Sequence, residues 1–150
     1  MGIAKSNKGL CRVYFPEEAP FDSALKRDFP DFLFVKDDTS FTNIKKQIEE
    51  YFSGKRTSFE LELDLQCPPF YKKALKEVNK IPFGKTVSYR DIAERAGNSK
   101  AVRATGSANA NNPLPIVIPC HRILNTGGGL GGYGGNLERK VYLLELEGSI

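Results

Sequence analysis

The chain has 150 residues, 40% hydrophobic and 27% charged, a globular balance that excludes a disordered chain. No apolar run approaches the ~20 residues of a membrane span. The net charge of +4 is uneven, because residues 1–67 carry ten basic and twelve acidic side chains and residues 68–150 carry twelve and six. We therefore expect two modules, and the basic one either faces a polyanion or is an ordinary solvated lysine face.

The first module alternates short strand and helix patterns. Leu10–Phe15 and the apolar run Phe32–Val35 predict strands. Near-helical apolar spacing over residues 41–52 predicts a helix capped by Ser40. Strict alternation over residues 59–65 predicts a half-buried strand with an acidic outer face. The pattern indicates a small α/β module with an antiparallel sheet.

The second module is mainly helical. Cys-Pro-Pro at 67–69 predicts a linker, so we place the domain boundary between residues 66 and 67. Helices are predicted over 70–80, from Ser88 onwards, over 100–110 and over 137–147. Two short helices around a glycine turn in a basic region suggest a helix-turn-helix, although many helical pairs share this pattern.

The candidate chemistry lies at Cys120, between a proline and the only histidine of the chain. A cysteine is often a small core residue and a lone histidine is often structural. Here the two are adjacent and Arg122 follows, an environment that favours the nucleophilic thiolate. Because neighbouring side chains diverge, we expect His121 to reach Cys120 through a turn or one water.

The other cysteines give no further motif. Three cysteines at wide spacings do not form a secreted disulfide framework. A bridge between Cys11 and Cys67 stays open, and so does a zinc site of three cysteines and His121. The lack of closely spaced ligand pairs disfavours zinc, so we expect no metal and no cofactor.

A glycine-rich segment follows the cysteine. Residues 126–136 contain seven glycines and match GxGxxG, but the second strand and acidic residue of a dinucleotide site are missing. We interpret the segment as backbone that approaches a flat ligand closely, with Tyr133 as its aromatic side chain.

Five motifs together resemble a known family. IPFGKTVSY, IAERAGN, KAVRA, NNPLPIVIPCHR and LLELEG have the order and spacing of the alkylguanine-DNA alkyltransferases, the methylated-DNA–protein-cysteine methyltransferases. The resemblance covers about residues 68–148. It implies an α+β protein, with a ribonuclease H-like support domain over 1–66 and a winged helix-turn-helix domain over 67–150. The second domain is expected to bind DNA and accept the alkyl group.

The resemblance also implies a mechanism. An alkyl group, such as methyl, passes irreversibly from guanine O6, or thymine O4, to Cys120, once per molecule and after base flipping. His121 takes the thiol proton through a water, and Glu147 orients the imidazole. Tyr89 protonates or hydrogen-bonds guanine O6, and Asn112 is a hinge amide. The expected partner is double-stranded DNA carrying alkylated guanine, bound by a cytoplasmic monomer (nuclear in a eukaryote) with no membrane partner.

Further positions resemble the DNA-contacting and base-binding residues of the family. Arg103 is implied to fill the space of the flipped base, on a helix of small residues that suits the minor groove. In the base pocket, the Ile123 carbonyl faces the exocyclic amine, Tyr133 lies against the ring, and the Gly134 N–H faces O6. The remaining positions implied to contact DNA are Tyr89, Arg90, Asn98 and Thr126.

Two other functions remain open. A sensor would bind lesions without chemistry, but the binding-only relatives have tryptophan where this chain has Cys120. An unrelated Cys-His hydrolase is disfavoured because no third segment supplies a convincing oxyanion hole. Position 134, often serine in the family, is glycine here.

Overall fold

A computed structural model describes residues 1–18, 20–134 and 136–150. The chain divides into two compact units, Met1–Asp64 and Leu65–Ile150. The first unit holds a two-stranded antiparallel sheet with helices, and the second is mainly helical, so the predicted α+β class is confirmed. In the described parts of the chain, no helix has the length and apolar character needed to cross a membrane.

The first unit is built on one hairpin. Strand β1 (Gly2–Lys5) pairs antiparallel with β2 (Leu10–Tyr14), and two helices follow, α1 (Phe21–Asp28) and α2 (Thr42–Phe52). Its core brings together side chains of the hairpin and α1: Ala4, Tyr14, Ala24 and Leu25, with Phe29 at the edge. Neither β1 nor α1 was predicted from the sequence.

The predicted strand at Phe32–Val35 is wrong. These residues belong to no strand, and Leu33 is 99% exposed. The rings of Phe32 and Phe34 contact only the edge of Phe29 among the described aromatic pairs. A short apolar run becomes a strand only where a neighbouring strand supplies backbone partners, and none is described beside this one.

Two other local predictions are corrected. The strand expected over 59–65 is reduced to one parallel bridge between Leu63 and Leu10, whereas an antiparallel pairing was expected. Ser40 does not cap α2, since its own N–H donates to Asp37 Oδ1 at 3.2 Å within a 3₁₀ turn that precedes the helix.

The second unit follows the predicted helices closely. It contains α3 (Pro69–Val78), β3 (Val87–Ser88), α4 (Tyr89–Arg95), α5 (Val102–Ala110), β4 (Ile123–Leu124) and α6 (Leu137–Leu146). Ser88 and Asp91 form a reciprocal capping box at the start of α4. Helix α5 begins two residues later than predicted, because Asn98 Oδ1 accepts the Lys100 N–H in a preceding turn.

Helices and the short sheet place the cysteine segment inside this unit. Helix α3 contacts α4 and α5, and its Leu75 is fully buried. Strands β3 and β4 pair in parallel, with Val87 opposite Ile123. The pairing joins the start of α4 to the segment that follows Cys120, so Tyr89 and Cys120 belong to adjoining parts of one scaffold.

Candidate active site

Cys120 opens a 3₁₀ turn, Cys120–Arg122, directly before β4. The segment before it contains prolines, which lack N–H donors, so side chains must fix its path. The Asn112 side chain fixes this path with both polar atoms of its amide. Its Nδ2 donates to Ile118 O at 2.9 Å, and its Oδ1 accepts from Leu114 N–H at 3.0 Å. This geometry suits a hinge amide between α5 and the cysteine segment.

A buried carboxylate organises the residues after Cys120. Glu147 Oε1 lies 2.8 Å from His121 Nε2. Arg122 donates to the same carboxylate twice, from Nε to Oε2 at 2.8 Å and from Nη2 to Oε1 at 2.9 Å. All three residues are at least nine-tenths buried. A bidentate guanidinium therefore compensates the carboxylate charge and fixes its orientation.

The same contact sets the tautomer of His121. A carboxylate only accepts hydrogen bonds, so Nε2 carries the proton and Nδ1 keeps its lone pair. Among the described residues, Nδ1 has no hydrogen-bond partner. Burial lowers the pKa of His121 from 6.5, although Glu147 opposes the shift. The imidazole is thus a neutral base at physiological pH.

Cys120 is 3% exposed, and burial raises the pKa of its thiol. The prediction that the environment of His121 and Arg122 favours the thiolate is therefore wrong, because the Arg122 guanidinium is bound to Glu147 and the imidazole is neutral. The Asn112 and Tyr133 side chains lower the pKa of the thiol, without reversing the effect of burial. In the free protein the thiol stays protonated at neutral pH, so nucleophilic attack requires a base.

Tyr89 lies at the start of α4, beside the glycine-rich loop. Its hydroxyl donates to Gly132 O at 3.5 Å. Burial raises its pKa, and the nearby Cys120 raises it further. Gly131 has φ +67°, and an added Cβ there would lie 3.3 Å from the Tyr89 ring, so glycine lets the loop approach the phenol.

Lys140 on α6 was not predicted as a site residue. Its side chain is fully buried, and Nζ donates to the carbonyls of Ile123 and Leu130. Burial lowers its pKa to about 8, and interaction with Cys120 opposes this. The ammonium therefore links β4 to the glycine-rich loop near the thiol. The Ile123 carbonyl is the group expected to face the exocyclic amine of a guanine. Because a carbonyl oxygen has two lone pairs, it keeps one to accept a hydrogen bond from that amine.

The residues implied to contact DNA lie on the surface of the second unit. Arg90, Asn98, Arg103 and Thr126 are exposed, on α4, on the turn after it, on α5 and on the glycine-rich loop. Within the described chain, Arg103 forms no ion pair. A purely structural arginine would be expected to pair with an acidic neighbour and stabilise its helix in that way. Of the base-pocket residues, Ile123 and Tyr133 are buried and Gly134 is exposed with φ +49°.

The described residues contain neither a disulfide bond nor a candidate metal site. Cys11, Cys67 and Cys120 are all free. In the described ranges, no cluster of three histidine, cysteine, aspartate or glutamate side chains is placed to hold a metal ion.

Comparison with known proteins connects this site to a family. Residues 69–149 match the DNA binding domain of 6-O-methylguanine DNA methyltransferase, and residues 1–65 match its ribonuclease-like domain. The chain belongs to the 6-O-methylguanine DNA methyltransferase family. The resemblance seen in the sequence motifs is therefore confirmed.

Individual members of this family are similar along most of the chain. A methylated-DNA–protein-cysteine methyltransferase of Mycolicibacterium paratuberculosis is 45% identical, over 72% of this chain and 66% of its own length. One from Methanosarcina acetivorans is 40% identical over 98% of this chain and 90% of its own. The structure of Mycobacterium tuberculosis OGT in complex with DNA has a TM-score of 0.84 at 36% identity, covering 98% and 85% of the two chains.

Proposed function

We propose that this protein repairs alkylated duplex DNA by transferring the alkyl group from guanine O6, or thymine O4, to Cys120 Sγ. The main structural support for this proposal is the buried hydrogen bond from His121 Nε2 to Glu147 Oε1 at 2.8 Å, in the residue that follows the buried Cys120. It leaves Nδ1 of the imidazole as a base next in sequence to a nucleophile that needs one. Membership of the methyltransferase family supports the assignment.

The proposed reaction is an attack by sulfur on the alkyl carbon. His121 Nδ1 takes the thiol proton, directly or through one water, and the thiolate forms a carbon–sulfur bond as the bond to guanine O6 breaks. The electron pair goes to the guanine, which takes a proton from the Tyr89 hydroxyl. The imidazolium then returns a proton to the phenolate through solvent, so that the thiol proton ends on guanine. A thioether has no easy leaving group, so each molecule reacts once.

Burial of the thiol implies that the base must leave the helix. Guanine O6 in a stacked duplex cannot reach the sulfur of a residue that is only 3% exposed, so the nucleotide must be flipped out at a cost of a few kcal/mol. The exposed Arg103 is proposed to occupy the vacated space. Arg90, Asn98 and Thr126 are proposed to contact the DNA phosphates, which fixes register without reading sequence, and Tyr89 is proposed to contact the flipped guanine.

The charge pattern supports duplex DNA as the partner. Residues 72–122 carry ten basic and three acidic side chains, and a related protein has been solved in complex with DNA. We propose that residues 67–150 bind DNA and accept the alkyl group, that residues 1–66 support them, and that the protein acts as a monomer in the cytoplasm, or in the nucleus of a eukaryote.

Intact-mass measurement after addition of a duplex containing O6-methylguanine tests this function. We expect the protein to gain one methyl group and Cys120→Ser to gain none, while the control Cys67→Ser reacts like the wild type. Binding without a change of mass would indicate a lesion sensor instead. Turnover of an ester or amide by Cys120 would indicate a hydrolase.

A further inference from the structure

Asn109, in the last turn of α5, makes a contact that its own helix does not require. Its side chain is 6% exposed, and Nδ2 donates to the Cys120 carbonyl at 3.1 Å. Thr105, another buried polar residue of α5, instead donates to the carbonyl of Ala101, the residue directly before that helix. Asn109 therefore ties α5 to the main chain of the cysteine itself.

The same amide adjoins the Tyr89 phenol. Burial raises the Tyr89 pKa, and a hydrogen bond from the Asn109 side chain lowers it in part. The Cys120 thiolate, when it forms, raises the Tyr89 pKa further. One asparagine side chain thus touches the main chain of the nucleophile and lies beside the proposed proton donor.

The buried amide oxygen of Asn109 destabilises the fold, so packing alone does not explain why an asparagine stands at this position. Oδ1 is buried and, within the described chain, accepts no hydrogen bond. A buried polar atom without a partner destabilises the folded protein, and a leucine of similar volume would avoid this. Among the described residues, the bond that the Tyr89 hydroxyl donates to Gly132 O is long, at 3.5 Å.

We propose that Asn109 is a positioning residue that holds the Tyr89 phenol and the Cys120 main chain in one arrangement for alkyl transfer. The inference rests on the proposed function of Cys120. It also gives α5 two tasks, because the helix carries the exposed Arg103 on its DNA-facing side and Asn109 on its buried side. Arg103 acts on base extrusion, whereas Asn109 acts on the transfer step itself.

Single-turnover rates with two substrates test the proposal. Asn109→Leu should slow transfer from both methylated duplex and free O6-benzylguanine by about 10–100-fold, since a displacement of reacting groups by about 1 Å has an effect of this order. The matched control Asn111→Leu removes an exposed amide that bonds Ser107 O on the same helix, and should stay within about twofold of wild type.

A double-mutant cycle distinguishes positioning from general support. If Asn109 acts through Tyr89, then Asn109→Leu should slow the Tyr89→Phe protein far less than the wild type, because the group it positions is already gone. Equal losses in both backgrounds would overturn the proposal, as would a wild-type rate in Asn109→Leu.

A second variant keeps the test valid if leucine is poorly tolerated. Asn109→Asp keeps the shape but removes the donor to the Cys120 carbonyl, and the same non-additive loss is expected, with binding of methylated duplex retained. Wild-type protein that transfers no alkyl group to Cys120 would refute the proposed function as a whole. Normal wild-type transfer with an unaffected Asn109→Asp protein would refute only the role of Asn109.

Discussion

Replacement of Glu147 by glutamine separates the two tasks of the buried carboxylate. In the wild type it accepts bonds of 2.8–2.9 Å from His121 and from two nitrogens of Arg122. Glu147→Gln leaves the Arg122 guanidinium buried without its counter-charge, which costs about 3–5 kcal/mol of unfolding free energy. It also removes the charge that orients His121, so methyl transfer should slow by about 100-fold or more.

Denaturant titration and single-turnover transfer measure the two effects on the same samples. The control is Glu147→Gln combined with Arg122→Met, which removes both charges of the buried pair. Much of the lost stability should return in the double variant, because no uncompensated charge remains. Transfer should stay slow, because the imidazole still lacks its carboxylate. A single variant as stable as wild type, or a double variant with the wild-type rate, would refute this reasoning.

Other perturbations have equally specific outcomes. Arg103→Ala should slow repair of duplex DNA strongly and leave reaction with the free base near wild type, whereas a parallel loss accompanied by a lower Tm would assign it a structural role. Burial lowers the Lys140 pKa from 10.5 to about 8. Between pH 8 and pH 10.5 the Lys140 side chain is therefore protonated in the unfolded chain and deprotonated in the folded one. The stability of wild type relative to Lys140→Met should therefore rise from pH 8 to 10.5, by up to about 3 kcal/mol in denaturant titrations, and a flat difference would argue against the buried ammonium. Because burial lowers the His121 pKa below 6.5, the rate of alkyl transfer from free O6-alkylguanine to Cys120 should hold down to pH 6.5 and fall only at lower pH; a decline beginning near pH 8 would mean that a group other than His121 takes the thiol proton. Leu33→Lys should change Tm little, as the side chain is 99% exposed, and a large drop would show that the run at 32–35 is packed.

Predictions from the sequence succeeded where the structural signal was local. The start of α4 is fixed by Ser88 and Asp91, three residues apart, and its end by Gly97, which has φ +94°. The strand prediction at 32–35 failed because a strand depends on partners that are distant in sequence. The single bridge between Leu10 and Leu63 shows the same dependence, since its hydrogen bonds join segments more than fifty residues apart.

The site was predictable to the extent that its residues are adjacent or carry a family motif. Cys120 and His121 were predicted as candidate site residues from one short segment, and Glu147 from the family resemblance. Lys140 had a usable signal, because it shares a helical face with Leu143, Leu144 and Glu147 at spacings of three, four and seven. The bond from Asn109 to the Cys120 carbonyl had none, since an asparagine near a helix end is ordinarily a capping or surface residue.

Peptide mapping by mass spectrometry, after reaction with one equivalent of O6-methylguanine duplex, tests the central claim most directly. It distinguishes the peptides of Cys11, Cys67 and Cys120, which are all free thiols. We expect one methyl group in place of the thiol hydrogen on the Cys120 peptide, unmodified Cys11 and Cys67, and no further loss of methylguanine when fresh duplex is added. Methyl on either of the other cysteines, or repeated turnover by one protein molecule, would contradict the account.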